Sequence, residues 1–272
     1  MNISKNVNSL EYLSDDLTEY LLGWNRFYYA WGVQSIVGKP VGEMYTSARL
    51  MRNEAGLPVL QKTTTTNNQR YWGEYQPVYE TNVDKYVGNF QPKWTGGFST
   101  SFRIKNFTLA ANFDFSIGGK IVSWTNMWGT GSGLLEGTAN VNDKGVNERE
   151  PVSKGGGVHV VGVDKDGAPV DTYINSYRWY HYLAQYDNDS WVYDRSYLKM
   201  REVSIGYTFP KSMLSKLNIG LTSASISLVA SNPWLIYSAV PNIDVSEAST
   251  NYLEGGQAPS TRSFGATLRL VF

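Results

Sequence analysis

Apolar and polar residues alternate with a period of two through residues 97–119. The alternation restarts once, after Lys105-Asn106. A period of two places successive side chains on opposite faces of a β-strand. The segment therefore predicts two strands joined by a two-residue turn. The apolar positions on their shared side are Phe98, Phe102, Ile104, Phe107, Leu109, Ala111, Phe113 and Phe115.

A turn at Lys105-Asn106 also fixes the register of this hairpin. The cross-strand partners it predicts are Ile104 with Phe107, Phe102 with Leu109, and Phe98 with Phe113. All the apolar residues then lie on one face, where cross-strand pairs stabilise the sheet. The register and the hydrophobic pattern agree.

Three further segments alternate in the same way and predict strands at 203–209, 224–230 and 264–272. The composition supports this interpretation, with 26 Gly and with Trp 9, Tyr 19 and Phe 10. Aromatic rings suit a pleated surface and glycine suits turns. The sequence predicts an all-β fold.

The lengths of the connections favour a transmembrane barrel over a soluble sandwich. Tight turns are predicted at 105–106 and within 210–218, whereas long loops are predicted at about 48–94, 119–196 and 235–262. Short turns at one end and long loops at the other are typical of outer-membrane barrels. The final segment 263–272 rises about 33 Å as a strand, which a tilt reduces to the ~25 Å of the apolar band.

A barrel assigns the two faces of the strands to lipid and to the lumen. We expect Asn112 and Asp114 to face the lumen. The residues expected to face lipid are Phe98, Phe102, Ile104, Phe107, Leu109, Ala111, Phe113, Phe115, Phe264, Leu268 and Leu270. A secreted β-sandwich that binds carbohydrate remains the alternative, with the same apolar residues buried in protein.

Charge and composition exclude several classes of function. Lys+Arg 24 balances Asp+Glu 24, so the basic surface of a nucleic-acid-binding protein is not expected. The count Cys 0 excludes disulfides, thiolate metal sites and a cysteine nucleophile. The first residues lack the pattern of a signal peptide, and the uncharged stretch 217–243 is too interrupted by polar residues for a membrane helix.

Motifs that carry chemistry elsewhere are better explained here by structure. The runs 129–133 and 155–157 are glycine-rich without the lysine and helix of a phosphate loop. Residues 158–173 predict a hairpin with an Asp-Gly turn rather than a calcium loop. Asp187 and Asp189 are expected in a solvated turn, and His159 and His181 lack metal-binding neighbours. We predict no catalytic, cofactor or metal site.

Six aromatic residues of the long loop at 119–196 could contact a glycan, a peptide or a partner protein, because flat rings stack on sugars and bury much area. They are Trp124, Trp128, Trp179, Tyr180, Tyr182 and Trp191. An aromatic girdle at the membrane interface is an equal alternative.

Several segments resemble the C-terminal part of SusC/RagA-type TonB-dependent outer-membrane transporters. They are VGKPVGEMY at 37–45, WTGGFSTSFRIKNFTLAANFDFSIGGK at 94–120, VYDRSYLKMREVSIGYTFP at 192–210, PNIDVS at 241–246 and TRSFGATLRLVF at 261–272. The block SYLKMREVSIGYTFP and the terminal strand ending in Phe are the most specific. Asn232-Pro233-Trp234 departs from the family pattern and predicts that its strand ends or bulges there.

The resemblance implies an outer-membrane location and the last strands of a 22-stranded barrel whose plug and TonB-contacting segment lie outside this chain. It implies import of glycans or oligopeptides, with a SusD-like lipoprotein over the loops, the TonB complex as energy source, and Phe272 as the signal for barrel assembly. It implies no enzyme activity and no cofactor. The chain alone is not expected to transport, because import in that family needs the plug and the TonB-contacting segment. It is not expected to insert alone as an open sheet, because unpaired strand edges are costly in hydrocarbon. A non-functional remnant of a transporter gene is a further alternative.

Overall fold

The structure is a computed structural model that describes residues 1–24, 31–248 and 252–272. Antiparallel strands dominate it. The strands up to the long central loop are β1 Asn2–Lys5, β2 Glu19–Trp24, β3 Trp31–Ile36, β4 Glu43–Leu50, β5 Leu60–Lys62, β6 Tyr75–Pro77, β7 Tyr79–Asn89, β8 Trp94–Ile104 and β9 Phe107–Ile117. The later strands are β10 Lys120–Ser123, β11 Val158–Val163, β12 Pro169–Ile174, β13 Val192–Asp194, β14 Tyr197–Thr208, β15 Ser223–Ser238, β16 Leu253–Glu254 and β17 Ser263–Val271.

Short helices punctuate the connections. The α-helices are α1 Thr66–Trp72, α2 Trp124–Gly131, α3 Ser176–Tyr186 and α4 Lys211–Leu214. Side-chain caps start the three longer ones: Thr65, Ser123 and Asn175 each accept a hydrogen bond from a backbone amide of the first turn. Among the described residues, no helix is both long and apolar enough to cross a membrane.

The main sheet has six strands in the order β1-β8-β9-β14-β15-β17. Its β8–β9 hairpin confirms the predicted register. Ile104 lies opposite Phe107, Phe102 opposite Leu109, and Phe98 opposite Phe113. The rings of Phe98 and Phe113 stack with their centroids 4.5 Å apart. Lys105 adopts a positive φ of 54°, which a turn of two residues requires.

The other predicted strands are also confirmed. Segments 203–209, 224–230 and 264–272 lie within or overlap β14, β15 and β17. The link between β14 and β15 is longer than the expected tight turn, since it runs from 209 to 222 and holds α4 and a short 3-10 turn. The connections at one end of the main sheet, 105–106 and 209–222, are nevertheless shorter than those at the other end, 6–93, 118–196 and 239–262.

The long connections fold among themselves at that other end. Strands β2, β3, β4 and β7 form a separate four-stranded sheet, and β10 pairs with both β13 and β16. The connection between β1 and β8 thus begins after residue 5, earlier than the expected loop boundary near 48. The reason is that β2, β3 and β4 satisfy their backbone groups with one another and with β7, outside the main sheet.

Hydrophobic cores lie in this loop region rather than on the main sheet. One cluster joins β3 and β4 to α2 and α3 around Trp31 and Met44. A second gathers around Leu60 and Ile174, and a third around Ile121 and Val240. The apolar face of the main sheet, by contrast, is left without a covering layer: Phe102 is 59% and Ile104 71% exposed.

Candidate functional site

A cluster of charged side chains lies where β14 meets the docked segment, residues 239–248. At its centre is Lys199, whose side chain is 1% exposed. Its ammonium group contacts Asp244 at 2.7 Å and Glu247 at 2.9 Å. The hydroxyls of Ser246 and Ser260 lie 3.1 and 3.0 Å away. Four oxygen atoms thus surround the buried ammonium group. A buried charge requires polar partners of this kind to replace water.

Arg201 extends this ionic cluster across the sheet. Its Nε and Nη2 donate to the two carboxylate oxygens of Asp114 on β9, both at 2.9 Å. Its Nη1 also donates to Glu247 of the docked segment. The Tyr197 hydroxyl donates to Asp114 at 3.2 Å. A two-point contact between guanidinium and carboxylate fixes orientation as well as distance.

A β-bulge turns both cations to this face. Between the pairs Met200–Trp234 and Glu202–Ser231, Arg201 lies opposite both Asn232 and Pro233. Asn232 has a positive φ of 49°, and proline has no amide to donate. Of the two outcomes predicted at this motif, the end of the strand or a bulge, the structure shows the bulge, since β15 continues beyond it to Ser238.

The bulge inverts the alternation along β14. On the C-terminal side of the bulge, Val203 and Ile205 share a face with Ala111 and Leu109. On the N-terminal side, Met200 lies opposite Phe113 and Lys199 opposite Asp114. An extra residue in a strand moves all later side chains to the opposite face. Lys199 therefore lies on the polar face, although it has the same odd numbering as Val203 and Ile205.

The neighbouring cations lower the pKa values of two carboxyl groups in the docked segment. Burial tends to raise the pKa of Asp244, but hydrogen bonds from Lys199, Ser246 and Ser260 outweigh it and hold that pKa below the ordinary value. Hydrogen bonds from Lys199 and Arg201 lower the pKa of Glu247. Both carboxylates are thus kept ionised and paired. Apolar contacts of Val240 and Val245 in the third core cluster hold the same segment in place.

Sequence reasoning placed Asp114 on the polar face but missed Lys199 and Arg201. The signal that could have found them is the break in alternation: Leu198 and Met200 are even-numbered apolar residues, whereas Val203 and Ile205 are odd-numbered. Together with Asn232-Pro233 in the neighbouring strand, that break indicates a bulge.

Five of the six loop aromatics lie in or beside the hydrophobic clusters. Trp191 is buried in the first cluster, and Trp124 and Trp128 pack against it. Trp179 and Tyr182 pack against the second cluster, where Tyr182 meets Trp72 edge-on. The Tyr180 hydroxyl donates to Glu148 at 2.8 Å, and burial with this bond raises its pKa. Their contact with a ligand or partner stays a prediction.

The other motifs take structural roles. Residues 158–174 form the expected hairpin, and Asp164 accepts hydrogen bonds from the backbone amides of Asp166 and Ala168 within its turn. The expected solvated turn is wrong for Asp187, which is 3% exposed because its carboxylate accepts a hydrogen bond from the buried Leu50 amide. Asp189 is half-buried and accepts from the Thr46 hydroxyl. The described residues contain no group of three or more His, Cys, Asp or Glu arranged to hold a metal ion.

His159 and His181 are both engaged with aromatic rings. His159 lies between Asp171, at 2.7 Å, and Asp143, at 3.4 Å, and stacks on Tyr173. His181 stacks on Tyr177, and burial lowers its pKa.

The residues expected to face lipid share one face of the main sheet in the observed register. Phe264, Leu268 and Phe272 are 80%, 62% and 74% exposed. Ala111 is buried in the sheet. Contact of this face with lipid, and a role of Phe272 in assembly, stay predictions.

Comparisons with known proteins bear on the class of this fold. No family model matches the chain. A TonB-dependent receptor, P3 of Formosa agariphila, is 28% identical over 198 residues, which are 69% of this chain and 17% of that receptor. The RagAB peptide importer in its open-open state superposes with a TM-score of 0.63 at 16% identity, over 99% of this chain and 26% of that one. The RagAB peptide transporter superposes with a TM-score of 0.60 at 15% identity, over 98% of this chain and 26% of that one.

The fold is that of an antiparallel portion of a transmembrane β-barrel, as in the RagAB structures. Within that class, the chain is similar in sequence to a TonB-dependent receptor and in fold to the RagAB importer, in line with the resemblance of its sequence blocks to SusC/RagA-type transporters. It spans about a sixth of the curated relative and a quarter of the solved chains. The relatives are a receptor and importers rather than enzymes.

Proposed function

We propose that this chain forms the C-terminal part of the barrel of an energy-coupled outer-membrane importer of glycans or oligopeptides. The observation that carries the proposal is the six-stranded sheet with one apolar face and one face of ion pairs, in the fold of the RagAB importer. An apolar face suits lipid, and a polar face suits a lumen. Likeness over 99% of the chain supports the barrel over a secreted sandwich.

The ionic cluster gives the polar face a role in this proposal. It ties the docked segment to β14 and β9 through Lys199 and Arg201. A loop held over the polar face narrows the mouth of a lumen on the side of the long connections. The cluster would thereby set the width of the entrance for cargo.

The partners follow from the same proposal. A SusD-like lipoprotein would cover the long connections, and the TonB complex would act through parts of the transporter outside this chain. The packing of Trp124, Trp128 and Trp191 in the first core supports a rigid loop surface for such a partner.

Uptake by cells tests the proposal. The gene for the full-length protein is deleted and restored, and cells are grown with oligopeptides or with oligosaccharides as the sole nutrient. We expect restored growth on one of these cargo classes, and loss of that growth when the companion lipoprotein gene is removed. Equal growth of deleted and restored cells on both would contradict import, and would favour a remnant.

A further inference from the structure

A basic cavity lies at the rim of the main sheet, outside the ionic cluster. Its volume is about 550 Å³, and we name it the rim pocket. The end of β1, the turn after β3, the end of β7 and the start of β10 surround it. Its charged lining residues are Lys5, Lys93, Lys120 and Asp194.

The three lysines have no carboxylate partner within 4 Å among residues 1–24, 31–248 and 252–272. The Asp194 carboxylate accepts a hydrogen bond from the Ser196 amide at 2.9 Å. The pocket therefore carries a net positive charge that the described chain does not neutralise. Concentrated positive charge in a concave site attracts anions.

The rim pocket lies at the end of the apolar face. Trp94 shares that face with Phe98, by alternation along β8, and lies opposite Ile117. The 11 residues of β8 rise about 36 Å, or ~28 Å along the membrane normal after strand tilt. If the turn at 105–106 lies at one membrane surface, Trp94 lies at the other. Tryptophan is enriched at that depth.

The lysines are placed for the same interface. Lys5 lies directly opposite Trp94 in the β1–β8 pairing, and its ammonium group lies 5.3 Å from the centre of the ring. A lysine beside an interfacial tryptophan extends its charge toward the headgroups. Side-chain amides of Asn6, Asn8 and Gln91, hydrogen-bonded to one another, complete the polar lining.

We infer that the rim pocket binds the phosphate-bearing headgroup of an anionic lipid in the leaflet next to the long connections. This inference rests on the membrane placement in the proposed function, but not on cargo import. Ammonium groups supply charge and hydrogen-bond donors to phosphate, and the amides suit the hydroxyls of a glycerol or sugar headgroup. A lipid is favoured over a soluble anion because the pocket opens beside the apolar face.

The test is lipid binding to the purified full-length protein in neutral detergent, followed by native mass spectrometry. The probes are phosphatidylglycerol and phosphatidylcholine with the same acyl chains. We expect a preference for phosphatidylglycerol, weakened on the order of thirtyfold in the double variant Lys5→Gln/Lys93→Gln, since each lysine near an anionic surface contributes about fivefold. Both residues are exposed, so folding is not at risk.

The matched control is Lys154→Gln/Lys165→Gln, which removes two exposed lysines of the long central loop. It should keep the preference. An unchanged preference in the Lys5/Lys93 variant, or equal loss in the control, would overturn the inference, as would displacement of the lipid by inorganic phosphate at equal concentration. Cargo uptake by the unaltered protein separates the two proposals: uptake by a protein that shows no preference for phosphatidylglycerol refutes only the rim pocket.

Discussion

Replacing Lys199 by methionine should release the docked segment from the sheet. Methionine fills a similar volume but cannot donate a hydrogen bond. The change leaves the Asp244 carboxylate, 14% exposed, without its cation. Glu247 keeps its contact with Arg201.

The size of the expected loss in free energy depends on the contacts that Asp244 and Glu247 keep after the substitution. Removing one member of a buried charge pair costs about 3 to 5 kcal/mol. The lower end applies here because Asp244 keeps its hydrogen bonds with Ser246 and Ser260. We expect the free energy of local opening of the docked segment to fall by ~3 kcal/mol, which is about two orders of magnitude in the opening equilibrium.

The same interaction predicts a pH dependence. The pKa values of Asp244 and Glu247 are lowered in the folded protein, so their contribution is fully present above the ordinary carboxyl values near 4. It is lost as pH falls through the lowered folded values, because the open segment then binds more protons. Protection should hold between neutral pH and about 5 and decline below ~4, and Lys199→Met should flatten this decline.

Amide hydrogen exchange on the full-length protein measures the opening directly. Faster exchange is expected at the amides of Glu247 and Ala248, which donate to the Asp244 and Val245 carbonyls, with no change at the hairpin of β8 and β9. Lys216→Met is the control, since Lys216 is exposed in the link between β14 and β15. Unchanged exchange in Lys199→Met, or the same acceleration in Lys216→Met, would refute the role of the cluster.

Three further changes test other parts of the fold in the full-length protein. Leu109→Arg should cost ~2 to 4 kcal/mol in a folding titration into lipid vesicles, whereas Asn112→Arg on the opposite face should be nearly neutral; equal effects would contradict the assignment of faces. Asn232→Ala should lower stability by about 1 kcal/mol in the same titration because of its positive φ, and Asn232→Gly by less. Asp187→Asn should weaken protection of the Leu50 amide, bonded at 3.0 Å, by about 1 to 2 kcal/mol in hydrogen exchange, and unaltered protection would argue against that contact.

The strands of the main sheet could be read from the sequence because their signal is local. Phe107, Leu109 and Phe113 alternate without interruption, and a two-residue turn leaves a single register that keeps them on one face. The loop sheets could not be predicted in the same way. Strands such as β3 are buried on both faces and carry no clean alternation, as in Trp31, Gly32 and Val33.

The ionic cluster shows how much of the candidate site could be predicted from the sequence. Asp114 was assigned to the polar face from its place in β9, since alternation there is regular. Lys199 and Arg201 were missed because their direction depends on a bulge shared with Asn232 in a neighbouring strand. Their acidic partner Glu247 lies more than 40 residues further along the chain, where no local pattern points back to β14.

The sequence by itself determined the all-β class, the strands around the 105–106 turn, and the division of their side chains into an apolar and a polar face. Those features depend on neighbours one or two positions apart, which alternation reports. The tertiary structure alone decided which strands join the main sheet, how the long connections pack at one end, and that Lys199 is buried with Asp244. These features depend on contacts between distant segments, whose geometry arises only when the chain is folded.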